Sequence, residues 1–330
     1  MLQLKNSTPF ATNMALLQNA DGVDTLYLIV KASFKIGSQW VLADEQVPPV
    51  EADEYWGEPN DSSIKYASDI HIGKPATDII MIGDACSLNG ISVKQLDVSL
   101  EVGQINKTVR VFGNRTWKDG KISSIESFQT MPMVYEKAFG GAHIVSESEH
   151  LLESKNPVGC GFAGKRSAIE MNGLALPNLE DPNSLIQQFT DQPEPACFAI
   201  SSPSWKPRVD YVGTYDDAWQ TQRAPYLPLD FDNRFFNMAH NNLIYPGYLA
   251  GGESVKITNM HAAGDLKFQL PRVNIVSQVN INNRNEYPKF NLETLLLEPN
   301  QLQLSMVWRA ELRCDKESLK ISDIKIGLSN

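Results

Sequence analysis

The densest collection of side chains able to do chemistry lies between Gly213 and Asn237. There the run GTYDDAWQTQRAPYLPLDFDNRFFN sets Asp216, Asp217, Asp230 and Asp232 beside Arg223, Arg234, Trp219, Tyr226 and three phenylalanines. Paired carboxylates among aromatics suit a sugar-hydrolysing cleft, in which one acid protonates the leaving oxygen and the other acts as nucleophile or base; Glu136 is a fifth candidate acid. The same residues also suit a structural role, with Asp216 capping a short helix, Trp219 and Arg223 meeting at i and i+4, and the remaining acids pairing with Arg234 or capping turns. Interface hot spots favour Trp, Tyr and Arg. On that ground Tyr215, Trp219, Arg223, Tyr226, Phe235 and Phe236 are candidate partner contacts, each of which a hydrophobic core would equally accept.

Other motifs carry less. Gly159, Gly161 and Gly164 match the spacing of a dinucleotide-binding fingerprint. That fingerprint must follow a strand and open a helix, whereas Ser154-Lys155-Asn156-Pro157 precedes it, so a tight structural loop is expected. Ser62 and Lys65 fit S-x-x-K without the companion elements of a serine acyltransferase. The five histidines have no ligand-like spacing and the four cysteines form no C-x-x-C pair, so neither a metal nor a cofactor is expected. The thiols at Cys86, Cys160, Cys197 and Cys314 read as reduced and buried.

These side chains must be positioned by strands. In TLYLIVKASF, Leu26, Leu28, Val30, Ala32 and Phe34 alternate with Tyr27, Ile29, Lys31 and Ser33, the period of a half-buried strand. Leu96, Val98, Leu100 and Val102 alternate likewise, Gly103 to Asn106 supplies a turn, and Val109 and Val111 resume the apolar face, which predicts a hairpin. A second hairpin is predicted from Leu295–Leu297, Pro299-Asn300 and the alternation of Leu302, Leu304, Met306, Trp308 and Ala310. Helix signals are short: Ser146 with Glu149, Asp181 through Phe189, and Asp216 ahead of Asp217 to Arg223 with Pro225 as the stop. The expected fold is therefore mainly β, a β-rich α+β arrangement of sandwich-like antiparallel sheets with a few short helices in the central segment. Residues 1–146 form an N-terminal β-rich domain, 147–207 a Pro- and Gly-rich connection, and 208–330 a C-terminal β-rich part with the short helix; whether the outer two pack as one unit stays open.

The 330 residues carry 29 Lys and Arg against 39 Asp and Glu, a net charge of −10 with no block of basic residues, which argues against a nucleic-acid partner. MLQLKNSTPF lacks the pattern of a secretory signal and the apolar runs are too short to cross a bilayer, so a cytoplasmic location without membrane contact is expected.

Several blocks together carry a resemblance: KPATDIIMIGDA (Lys74 to Ala85), LDVSLEVGQINKTVRVFGNRTW (Leu96 to Trp117), MPMVYEKAFGGA (Met131 to Ala142), NPVGCGF (Asn156 to Phe162), LPNLEDP (Leu176 to Pro182), the Gly213 to Asn237 run, and GYLAGGESVKITNM (Gly247 to Met260). In order and spacing they resemble the domain-of-unknown-function family numbered 2169, encoded beside type VI secretion effector genes in Gram-negative bacteria. The resemblance implies a non-enzymatic adaptor or chaperone that holds a secreted effector protein in the producing cell and helps to load it onto the secretion spike, with the spike protein as a further partner. No catalytic residues come with it.

Overall fold

The computed structural model describes residues 3–329. Its centre is a six-stranded sheet in which Ala11–Gln18, Asp24–Lys35, Gln303–Arg313, Asn291–Glu298 and Asp78–Met81 lie side by side, and the short strand Val41–Leu42 adds to Asp24–Lys35. The pairings are antiparallel except the last, where Thr294 to Leu297 run parallel to Asp78 to Met81. A five-stranded sheet holds Leu179–Glu180, Ile105–Phe112, Gln95–Val102, Ser254–Thr258 and Leu266–Gln269. In a four-stranded sheet the two ends of the chain meet, Leu4–Asn6 lying parallel to Ile321–Leu328. The fold is mainly β with few short helices, as the alternation predicts.

Both predicted hairpins form. Gln95–Val102 pairs with Ile105–Phe112, and Asn291–Glu298 with Gln303–Arg313. Leu28, Val30, Ala32 and Phe34 join Val98, Leu100, Val109, Val111, Leu295 and Leu304 in one apolar cluster, to which the four-stranded sheet contributes Val279 and Ile324. Burying these faces is the main driving force for the arrangement.

The strand Asp24–Lys35 departs from expectation in being buried on both faces, not half-buried. Its polar face is covered because the following segment folds back over it. Lys31 Nζ reaches Asp69 Oδ2 at 3.0 Å with both side chains buried, and Gln46 closes on Ser33 through both a carbonyl and an N–H. Period two alone reads a satisfied inner ion pair as a solvated face.

Two expected helices are absent among the described residues. Ser146 and Glu149 are paired partners in the hairpin of Ala142–Ser146 and Glu149–Leu152, since the capping-box spacing also fits a tight reversal. Residues 181–189 form turns: Asp181 Oδ1 accepts from the Asn183 N–H at 2.8 Å, the local bond by which Asp competes with a helix. Two of the sequence blocks meet around Asn156, whose Nδ2 donates to the carbonyls of Tyr135 (2.8 Å) and Phe139 (2.9 Å). Gly140 is required there, because a Cβ would sit 2.1 Å from the Asn156 carbonyl oxygen. The glycines at 159, 161 and 164 belong to the same loop system, with Cys160–Gly161 pairing alongside Phe139–Gly140 and no helix following.

Candidate functional site

The Gly213 to Asn237 run builds an exposed tip and then turns inward. Helix Asp217–Gln222 begins where Asp216 accepts the Trp219 N–H at 2.8 Å, the cap that the sequence announces. The indole N–H of Trp219 donates to the Tyr226 carbonyl at 2.8 Å, closing the chain back on the helix. Arg223 acts as a clamp. Its Nε donates to the Leu227 carbonyl (2.8 Å), its Nη2 donates to the Ala20 carbonyl (2.7 Å), and its guanidinium lies 5.4 Å from the Tyr226 ring centre. The Ala20 contact ties the tip to the turn that joins the first two strands of the central sheet. On this frame Tyr215 packs edge-on against Trp219 with centroids 4.6 Å apart and stays 51 % exposed, and Leu229 is 88 % exposed.

The six aromatic and arginine candidates therefore divide. Tyr215, Trp219, Arg223 and Tyr226 form the tip. Phe235 and Phe236 lie deeper, edge to face with each other; Phe235 is also edge to face with Phe231, and Phe236 is tilted against it. Phe236 stacks on His71 at 5.4 Å, and Phe235 lies under the Arg208 guanidinium at 5.4 Å.

Four of the five candidate acids, Glu136, Asp216, Asp230 and Asp232, hold backbone or side-chain donors in place. Glu136 accepts from Ser63 N–H (2.7 Å) and Oγ–H (2.8 Å), and Asp230 accepts from Thr214 N–H (3.0 Å) and Oγ1–H (2.7 Å). Asp232 accepts from the Arg234 N–H and Nε–H, both at 2.8 Å. Thr214 donors hold the Asp230 carboxyl below its ordinary range, and Arg234 does the same for Asp232. A general acid needs the opposite direction. Lys65 places its ammonium 4.8 Å over the Trp56 ring, and Ser62 donates to the Glu58 carbonyl, so no serine–lysine pair forms.

Inward of the tip a cleft of about 710 Å³ opens, reached by Arg234 and Asn237 from the same run and by Tyr211 just before it. None of the five candidate acids lines it. Its floor is anchored by Asp78, fully buried, which accepts from Lys74 Nζ (2.8 Å), Asn237 Nδ2 (3.1 Å), Met238 N–H (3.0 Å) and Ala239 N–H (3.2 Å). Lys74 donates in addition to Thr294 Oγ1 at 2.8 Å, so the block at Lys74 is bolted to the central sheet.

Two cations line the cleft without a carboxylate in contact among the described residues. Lys107, 6 % exposed, has Nζ 3.4 Å from His240 Nε2 and 3.5 Å from Nδ1. Burial pulls the Lys107 ammonium below its usual range, only partly offset by the field of Asp181. Burial and then the Lys107 charge push His240 down to about 4, so the ring is neutral at pH 7, and its Nδ1 accepts from the Asn242 N–H at 3.2 Å. Arg208, 9 % exposed, is fixed by Nε to the Phe235 carbonyl (2.9 Å) and by Nη1 to the Ser201 carbonyl. Burial lowers it to about 10, which leaves it charged. The cations nearer solvent have partners: Lys155 with Glu194, Lys206 with Asp210 at 3.8 Å, and Arg234 with Asp232 at 2.6 Å.

Lys107 carried a signal that reading by motif missed. It stands in register with Val109 and Val111 on the inward face of its strand, opposite Leu100, where alternation calls for an apolar residue.

The chain belongs to the family described as an uncharacterized protein conserved in bacteria (DUF2169), whose profile matches residues 21–309. Neither a curated protein nor a solved structure matches it. Among the described residues no helix is long and apolar enough to cross a membrane, and no three His, Cys, Asp or Glu side chains group as a metal site requires.

Proposed function

We propose that the chain is a cytoplasmic, non-enzymatic adaptor or chaperone that binds a type VI secretion effector and assists its loading onto the secretion spike. The observation that carries this reading is the tip. Tyr215, Tyr226 and Leu229 present apolar surface to solvent, with half-buried Trp219 packed against Tyr215, from a segment tethered by Arg223 and by the indole hydrogen bond. Large aromatics held in place before binding lose little freedom when a partner covers them, which is what an interface anchor needs. Such a surface has no evident benefit to an isolated chain, because exposed apolar area is a liability unless something covers it.

The effector would be engaged at the tip through apolar contact, with the main sheet as the rigid base. The experiment is co-expression with the neighbouring effector and spike genes, followed by affinity purification. A defined complex with the effector, formed without the spike and lost in Trp219→Ala, supports the reading. A chain that purifies alone in the presence of both neighbours overturns it.

A further inference from the structure

We infer that the cleft between Lys107 and Arg208 is a binding site for an extended acidic peptide segment, whose carboxylates seat on these two cations. The proposal deepens the adaptor reading and rests on it for the identity of the peptide's owner, but the site is argued from the cleft alone.

Holding two cations in a largely buried place with no carboxylate in contact costs stability, and a fold keeps such a cost mainly where a ligand repays it. Of the three acids that line the cleft, Glu194 and Asp210 are taken up by Lys155 and Lys206, and Asp181 acts on Lys107 only through its field. The chain has acids to spare, with a net charge of −10, yet among the described residues none is in contact with either group. Arg208 is aimed: Nε and Nη1 are fixed to main-chain carbonyls, while Nη2 makes no hydrogen bond among the described residues and has its two N–H groups to offer. Among the described residues Lys107 has the neutral imidazole of His240 as its one side-chain hydrogen-bonding neighbour, which leaves donors free. The two cations stand in separate surroundings, one beside His240 on a strand and the other above Phe235 at a 3-10 turn, so they offer two cationic points along the cleft.

The remaining walls favour a peptide over a small inorganic anion. A volume of about 710 Å³ falls in the range of sites for sizeable organic ligands and is far more than one phosphate fills. Pro75, Pro195, Pro207 and Ala196 provide apolar contact that phosphate cannot use. Asn241 and Asn242, both exposed, line the cleft with carboxamides that can donate to and accept from a peptide main chain.

The test uses the intact chain and fluorescein-labelled, acetylated octapeptide pools with Asp or Glu fixed at two positions, against matched pools with Asn or Gln, read by fluorescence anisotropy. The acidic pool is expected to bind and the amide pool to bind at least about tenfold more weakly, the loss a missing charged hydrogen bond brings. Lys107→Met should weaken binding by a similar factor while melting no lower than the parent, and Lys107→Arg should keep it within a few-fold. Equal binding of the two pools, no binding of either, or full binding by Lys107→Met would overturn the proposal. So would inorganic phosphate displacing the peptide at equal concentration. An effector complex that forms while the acidic pool fails to bind removes the cleft proposal alone; peptide binding without any effector complex removes the adaptor reading alone.

Discussion

Replacing Asp78 by alanine tests the structural argument beneath the site. The carboxylate is fully buried and takes four donors, one of them the ammonium of Lys74. Without it the Lys74 charge stays buried with Thr294 Oγ1 as its remaining hydrogen-bond partner, and the N–H groups of Met238 and Ala239 lose their acceptor. Breaking a buried pair from one side costs about 3–5 kcal/mol. Unfolding entropy of about 2.1 cal/mol/K per residue over 330 residues gives about 0.7 kcal/mol/K, so the midpoint should fall by about 4–7 °C. Calorimetry at pH 7 reads this directly. The double variant Lys74→Met with Asp78→Leu removes both charges and should fall by less than the single variant, since no unpaired charge is left. A single variant within about 1 °C of the parent would refute the reasoning, because an unpaired buried ammonium cannot be that cheap.

Other outcomes follow from the same contacts. Stability should fall on acidification between about pH 6.5 and 4: His240 titrates near 4 in the fold but near 6.5 unfolded, so below 6.5 the unfolded chain takes a proton that the fold refuses. The full difference is about 3 kcal/mol, and buried His71 adds to it in the same direction; denaturant titrations at pH 7 and 5 should show the loss, with a shallower slope in His240→Gln. Gly140→Ala should lower the midpoint more than Gly120→Ala in thermal melts, since its Cβ meets the Asn156 carbonyl at 2.1 Å whereas nothing lies within 4 Å of a Cβ at Gly120; backbone strain acts in the same direction, φ being 151° at Gly140 and 72° at Gly120. Arg223→Ala should leave the global unfolding free energy within about 1 kcal/mol of the parent yet speed amide exchange at residues 217–227, because its hydrogen bonds to Leu227 and Ala20 hold the tip and not the core.

The strands were legible where one face is apolar and the turn is polar. Leu96 to Val102 and Val109 to Val111 gave their hairpin through alternation, and Pro299-Asn300 marked the reversal of the last one. What alternation could not show is that Tyr27, Ile29, Lys31 and Ser33 are covered as well, because that depends on residues 46 and 69 folding back from a distance. Asp216 was readable as a helix cap because the cap and its acceptor geometry are local. The cleft was not, since Lys107, Arg208 and His240 come from three separate parts of the chain and share no motif. The one local trace was a lysine at an apolar position of the strand pattern. The aromatic run reads as one block in sequence, but the fold splits it, spending Phe235 and Phe236 on packing against Arg208 and His71 and leaving Tyr215 exposed with half-buried Trp219 against it.

The most direct test of the proposed adaptor account is the mass, by size-exclusion chromatography with light scattering, of the chain co-expressed with the type VI effector that the proposal assigns to it. The account calls for a single species at the summed mass of chain and effector, and for separation of the two when Tyr215→Ser and Trp219→Ala are combined in a chain that melts like the parent. Chain and effector eluting apart with the native tip intact would contradict it.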